Sequence, residues 1–185
     1  FNPDGTVNPT AVPDDDRALA VTSPVVNEAS PYAVFTVTGT AGQTVSLALT
    51  AGTATGGGTD FGSATATLNL QYSIDGGANW LSFITTGAFA LPAGGSVLVR
   101  TPINNDATPD NNEAFTLTAT PAGGQAATGT GTIKDDGTGD IYKADGTTDT
   151  SAVKNDDRVV AVTSVERAEK VNSEKPGFWE LKKVL

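Results

Sequence analysis

The stretch SVLVRTPINNDATPDNNEAFTLTAT, residues 96–120, holds a strand, an acidic loop and a returning strand in one continuous run. Val97 and Val99 alternate with Ser96 and Arg100, and Phe115 and Leu117 alternate with Thr116 and Thr118. A period of two is that of a strand with one face buried. Between the two segments, Asp106, Asp110 and Glu113 stand among Asn and Pro, residue types that favour turns.

Outward from there the pattern continues. Short alternating segments separated by Gly, Pro, Asn and Asp predict strands over residues 19–22, 33–38, 44–50, 67–74, 81–85, 96–103, 114–120 and 128–133. Their inward sets are Val34, Phe35 and Val37; Val45, Leu47 and Leu49; Leu68, Leu70 and Tyr72; Val97 and Val99; Phe115 and Leu117. Such a series predicts an all-β, Ig-like antiparallel sandwich of two sheets. Asp75-Gly76-Gly77 reads as a hairpin turn, with Trp80 capping the core beside it.

Composition narrows the chemistry. With 21 acidic against 11 basic residues, a net charge of -10, the chain repels nucleic acid and anionic membrane surfaces and favours cations. It has no Cys and no His, so thiolate and imidazole sites are excluded, and any metal must be a hard one bound through oxygen. No apolar run is long enough to span a membrane, so no membrane insertion is expected. No nucleophile motif or phosphate loop is present, and the chain does not read as an enzyme. GTATGGGTDF, residues 52–61, is Gly-rich but lacks the Lys and following helix of a phosphate site.

The acids gather where strands end: Glu28 before one strand, Asp60 at the close of GTATGGGTDF, Asp106, Asp110 and Glu113 in the 103–113 loop, Asp135 and Asp136 after the last strand. Taken singly, each reads as a solvated turn residue. Taken together, with few basic neighbours, they point to Ca2+ held at one pole by flexible oxygen-bearing loops. One to three ions are expected.

Four segments in order, NEASPYAVFTVTG, GTATGGGTDF, INNDATPDNNEAFTLTAT and GTGTIKDDG, resemble the Calx-beta pattern: an acid before a strand, a GTA…G-D-aromatic loop, a D…E-x-F segment and a terminal I-x-D-D. The likeness covers about residues 19–137 and looks like the tandem modules of bacterial surface adhesins and related type I secreted, RTX-type proteins. It implies calcium at one end of an Ig-like sandwich, through Glu28, Asp60, Asp106, Glu113, Asp135 and Asp136, with Asp110 as an addition. It also implies a location outside the cell, at a bacterial surface or secreted. The segment around YSIDGGANW departs from the pattern as an insertion or extended hairpin.

A second feature concerns how modules join. DGTVNPTAVPDDDRALAVTS, residues 4–23, returns as DGTTDTSAVKNDDRVVAVTS, residues 145–164, with twelve of twenty positions identical at a constant offset of 141. This is the signature of a tandem array. It divides the chain into a junction (1–16), a sandwich repeat (17–137), a second junction (138–157), the first strand of a following repeat (158–164) and a tail of different composition (165–185), where Glu166 and Lys170 form one helix-style pair. The expected role is a calcium-stabilised spacer contacting neighbouring repeats. Two alternatives remain: a self-assembling fibre or homo-oligomer joined through strands 17–23 and 158–164, and a module that binds a glycan or receptor at the hairpin Asp75–Trp80. Tyr72, Trp80, Phe83 and Phe89 offer an aromatic platform for sugars, but core packing is the better reading, because Tyr72 continues the inward alternation of Leu68 and Leu70.

Overall fold

Period-two segments become strands because each has one apolar face to hide, and the chain offers enough of them to face one another in two layers. The computed structural model describes residues 1–9, 15–84 and 87–158. Within them lie β1 (Ala20–Val21), β2 (Val25–Asn27), β3 (Tyr32–Thr38), β4 (Thr44–Ala51), a single helical turn α1 (Ala66–Asn69), β5 (Gln71–Ser73), β6 (Leu81–Ser82), β7 (Phe89–Ala90), β8 (Ser96–Pro102), β9 (Glu113–Pro121) and β10 (Ala127–Lys134). They form two five-stranded sheets, ordered β1-β3-β8-β5-β6 and β2-β10-β9-β4-β7. The protein is the two-sheet sandwich expected.

One pairing departs from the antiparallel expectation. β2 runs parallel to β10, with Val25, Val26 and Asn27 opposite Thr132, Ile133 and Lys134. The cause lies at Pro24, between β1 in one sheet and β2 in the other. Its nitrogen has no proton to donate, so the segment cannot continue as one paired strand, while its carbonyl accepts from Thr132 N–H at 3.0 Å and starts the new ladder.

The core collects the inward faces. Phe35, Val37, Val45, Leu47, Val97, Val99, Phe115 and Leu117 are buried, and Leu49 and Tyr72 pack partly against them. Phe115 lies at the centre, stacked on Phe61 at 4.2 Å and edge-on to Phe35 at 5.9 Å. Gly131 on β10 makes room for its ring, since a Cβ there would sit 2.6 Å from Phe115 Cζ.

Two expectations change. Residues 67–74 do not form one strand: α1 occupies the first half, and of the expected inward set Leu68 is exposed, Tyr72 is half-buried and Leu70 alone is fully buried. Asn69 drives this, because its side-chain Oδ1 accepts from Ser63 N–H and its carbonyl accepts from Thr101 Oγ1–H, which turns the chain before β5 begins. Tyr72, Phe83 and Phe89 pack ring against ring, with Tyr72 and Phe89 stacked at 4.5 Å. Trp80 does not cap that core. It lies on the outer face of the first sheet, where the Arg100 guanidinium is held between the Trp80 and Tyr32 rings, 4.0 Å from each centroid. Such cation–π contacts suit a guanidinium that burial has taken out of water. Arg100 also donates to Gln71 Oε1 at 2.9 Å and to the Ala144 carbonyl at 2.6 Å.

That last bond shows where residues 138–157 go. Asp140 exchanges backbone bonds with Val25 and Asn27, Ile141 is buried, and Tyr142 packs partly against the core. The expected junction is therefore laid along the sandwich, crossing the Trp80–Arg100 face before returning to the pole. Gly139 permits the approach, since its φ is +84° and a Cβ would lie 2.5 Å from Val26 C. Strand 159–164 and the tail 165–185 lie outside the described residues.

Candidate cation site at the acidic pole

β2, β4, β8 and β10 all end, and β9 begins, at one pole of the sandwich, and the loops there carry the acids. The Gly-rich loop is fixed first. Ala54 N–H donates to the Ala114 carbonyl at 3.0 Å, Ala114 N–H to Thr53 Oγ1 at 2.8 Å, and Asp60 N–H to the Thr55 carbonyl at 3.0 Å. Gly57 and Gly58 take the positive φ values the turn needs, 78° and 93°. Phe61 then anchors the loop by stacking on Phe115, and Asp60 arrives beside Glu113.

The 104–113 loop is held from both sides. Asn104 bonds the Asp60 and Thr59 carbonyls, and Asp106 N–H donates to Glu28 Oε1 at 3.0 Å. Asn112 adopts φ 72°, a left-handed conformation that Asn tolerates better than most residues. Asn111 beside it accepts from Asp135 N–H and donates to Asp136 Oδ2.

Two triads of carboxylates result, each with one oxygen per residue within 4.8 Å of the others: Glu28, Asp135 and Asp157, and Asp60, Asp110 and Glu113. Glu28 and Asp135 are 5% and 2% exposed. Neither of the two ion pairs among the described residues, Arg17–Asp15 and Arg158–Asp156, involves a member of either triad. Crowding and burial without a basic partner push three of these carboxyls upward. Burial, then the charges of Asp135, Asp106 and Asp110, pushes Glu28 up to about 7. Burial, then a hydrogen bond and charge from Asp60, pushes Glu113 up to about 7 as well. Asp110 is raised by burial and by Asp106, Asp60 and Asp135.

Five of the seven candidate residues thus fall into the triads. Asp106 stands outside them but near both, since its charge acts on Glu28, Asp110 and Glu113. Asp136 is turned to structural work: it accepts from Thr138 N–H at 3.0 Å, from Thr138 Oγ1–H and from Asn111 Nδ2–H, which lower it to about 2. Asp157 is the residue sequence reasoning left out of the site. The recurring Asp-Asp pairs at the repeat boundaries were its signal, but they say nothing about the chain folding back to deliver it.

Asn27 makes that delivery. Fully buried, it donates to the carbonyls of Lys134 at 3.3 Å, Thr138 at 2.9 Å and Asn155 at 3.0 Å, and accepts from Ala29 N–H at 3.1 Å and Asn155 N–H at 2.7 Å. One amide therefore binds β2 to both sides of the returning segment. Asn27→Ala is expected to cost about 2 kcal/mol, because it takes the donor from the Thr138 carbonyl and the acceptor from the Ala29 and Asn155 N–H groups in a part-buried site. It should also weaken calcium binding at the Glu28 triad without removing a carboxylate, which calorimetric titration would read.

The donor set fits a hard cation: it is oxygen throughout, dehydrated at Glu28 and Asp135, and without a competing basic group in an ion pair among the described residues. Bound there, a divalent ion would supply the positive charge that the two triads lack.

No family model and no curated protein matches the chain. Among solved structures, it is similar to CBD12 from CALX1.2, at 18% identity and TM-score 0.42, covering 63% of this chain and 45% of that one. It is also similar to the apo-form Calx CBD1 domain, at 17% identity and TM-score 0.41 over 63% of this chain and 98% of that one. A third is ACE19, the collagen binding subdomain of the Enterococcus faecalis surface protein ACE, at 11% identity and TM-score 0.34 over 65% and 97%. The chain spans less than half the length of the CBD12 structure.

Proposed function

We propose that this chain is a calcium-stabilised β-sandwich repeat, acting as a spacer in an extracellular surface or secreted bacterial protein. The observation that carries the reading is the pair of carboxylate triads at one pole, one with Glu28 and Asp135 buried and the other half-buried, outside any ion pair among the described residues. A site of this kind is costly to fold empty and favourable to fold around a dication. Calcium accepts irregular oxygen shells from several loops, whereas magnesium demands a stricter octahedron. Glu28, Asp135 and Asp157 would hold one ion and Asp60, Asp110 and Glu113 another, with Asp106 close enough to add to either.

The role is thermodynamic and mechanical rather than catalytic. Calcium binds the folded chain in preference to the unfolded one, so millimolar calcium outside the cell stabilises the module by mass action. Scarce calcium inside leaves the chain looser for export. Because Asp157 belongs to the returning segment, the ion also secures the strap to the sandwich.

Thermal unfolding tests this directly. Millimolar calcium is expected to raise Tm by about 10 °C over a chelated sample, from a few kcal/mol of linkage across two sites. Asp135→Ala and Asp60→Ala should each remove roughly half of that gain. An unchanged Tm in calcium would sink the reading.

A further inference from the structure

The turns that open the two copies of the repeated segment, residues 2–6 and 143–147, share a local structure and differ in their surroundings. In the second copy, Lys143 N–H donates to the Thr147 carbonyl at 2.8 Å, Gly146 N–H to the Lys143 carbonyl at 3.0 Å, and Thr147 N–H and Oγ1–H to Asp145 Oδ1 at 2.9 and 2.7 Å. In the first copy, 141 positions earlier, Asn2 N–H donates to the Thr6 carbonyl at 2.8 Å, Gly5 N–H to the Asn2 carbonyl at 2.9 Å, and Thr6 N–H and Oγ1–H to Asp4 Oδ1 at 2.9 and 2.6 Å. Gly146 and Gly5 adopt φ of 83° and 81°. The two turns share these four hydrogen bonds, and differ in the further bond that Asn2 Nδ2–H donates to Thr6 Oγ1.

Their environments differ. The second turn is seated. A Cβ on Gly146 would meet Leu98 Cδ1 and Trp80 Cζ2 at 3.2 Å, a Cβ on Gly77 would meet the Asp145 carbonyl at 1.7 Å, and the Ala144 carbonyl takes the Arg100 hydrogen bond. Tyr142, just before it, is partly buried against the core. The first turn is open: a Cβ on Gly5 would meet nothing within 4 Å, Val7 is 72% exposed, and Phe1, the counterpart of Tyr142, is 89% exposed.

We infer that the Asn2–Val7 turn, with Phe1, is a docking element for the Tyr32–Trp80–Arg100 face of a second sandwich of this kind. That is the seat which the Lys143–Thr148 turn fills within the chain. The chemistry carries over position by position. Asp4, Gly5 and Thr6 match Asp145, Gly146 and Thr147, Pro3 keeps the carbonyl that Arg100 grips at Ala144, and Phe1 supplies the ring of Tyr142. A preformed turn loses little entropy on docking, and an exposed Phe beside an exposed Val gains from burial. The occupied face thus shows what the open turn fits. Docking of this turn needs no cation and does not depend on the calcium reading.

Two measurements on the full chain test it, both in a Trp179→Phe background so that Trp80 alone reports. The first grafts the front sequence into the seat with Tyr142→Phe, Lys143→Asn, Ala144→Pro and Thr148→Val. The graft should keep the wild-type Trp80 emission and Tm, whereas Gly146→Val, which strains the turn and pushes it into Trp80, should red-shift the emission. The second is sedimentation. The wild type, with its seat filled, should be monomeric, and Gly146→Val should associate as concentration rises. Adding Gly5→Val to that variant should abolish association. A graft that exposes Trp80 as Gly146→Val does, a Gly146→Val chain that stays monomeric with its seat open, or association indifferent to Gly5→Val would each overturn the proposal.

Discussion

Phe115→Ala is expected to destabilise the sandwich by about 4 kcal/mol and to remove the calcium response of one triad with it. The stability loss follows from position, since the ring is 1% exposed, stacked on Phe61, edge-on to Phe35 and covered by Gly131. A ring packed on all sides leaves a cavity that its neighbours fill only in part. The functional loss follows from connectivity. Phe61 and Phe115 each stand one or two residues from a triad member, Asp60 and Glu113, so their stacking sets the distance between those carboxylates. Val97→Ala is the control. It removes buried apolar atoms at the other end of the core, opposite Val37, and should cost about 2 kcal/mol while leaving the calcium-induced rise in Tm unchanged. Denaturant melts with and without calcium separate the two effects. If Phe115→Ala keeps the full calcium increment, the stack does not position the triad.

In chelator, stability should fall as pH rises from 5 to 8, by about 3 kcal/mol or about 10 °C after allowance for solvent screening. Glu28 and Glu113 lie near 7 when folded, against an ordinary value of 4.5. Between those values the folded chain holds protons that the unfolded chain has released. The stabilisation is complete below the unfolded value and is lost as pH passes through 7. Asp75 and Asp136, lowered to about 2, titrate beneath this window and leave its slope alone. Saturating calcium should reverse the sign, because the ion needs both carboxylates ionised and protons then compete with it. Melts at several pH values in chelator and in calcium give both slopes, and Glu28→Gln with Glu113→Gln should flatten the first. A chelated Tm that rises over this range would contradict the crowding at the pole.

What could be read in the sequence, and what could not, divides along physical lines. β3, β4, β8, β9 and β10 were legible because each runs seven or more residues with buried side chains at alternate positions, which writes period two into the sequence even where β3 and β8 also bury Val34 and Arg100 on the other face. β2 was not. Three residues carry no period, and what makes Val25–Asn27 a strand is its parallel partner β10, more than a hundred positions away. The alternation of Leu68, Leu70 and Tyr72 misled for the opposite reason: Asn69 is tied to Ser63 nearby and to Thr101 on β8, and those bonds outweigh the period-two pattern. At the pole, acids in loops next to strand ends could be recognised, since the sandwich necessarily brings strand ends together. Asp157 could not, because its place depends on Gly139, Asn27 and Asn155 folding the chain back.

The parallel pairing of β2 with β10 has a consequence for load. Arg17 is gripped through its carbonyl by buried Gln43 at one pole, and the chain leaves at Asp157 and Arg158 at the other. Tension between those points runs along the strand axes. The ladder of Val25, Val26 and Asn27 against Thr132, Ile133 and Lys134 is then loaded in shear, so its bonds share the force and must yield together instead of peeling one at a time. Under such a load, three short rungs joining the first and last parts of the sandwich would serve as its mechanical latch, and Asn27, the last of them, would also keep the returning segment in place.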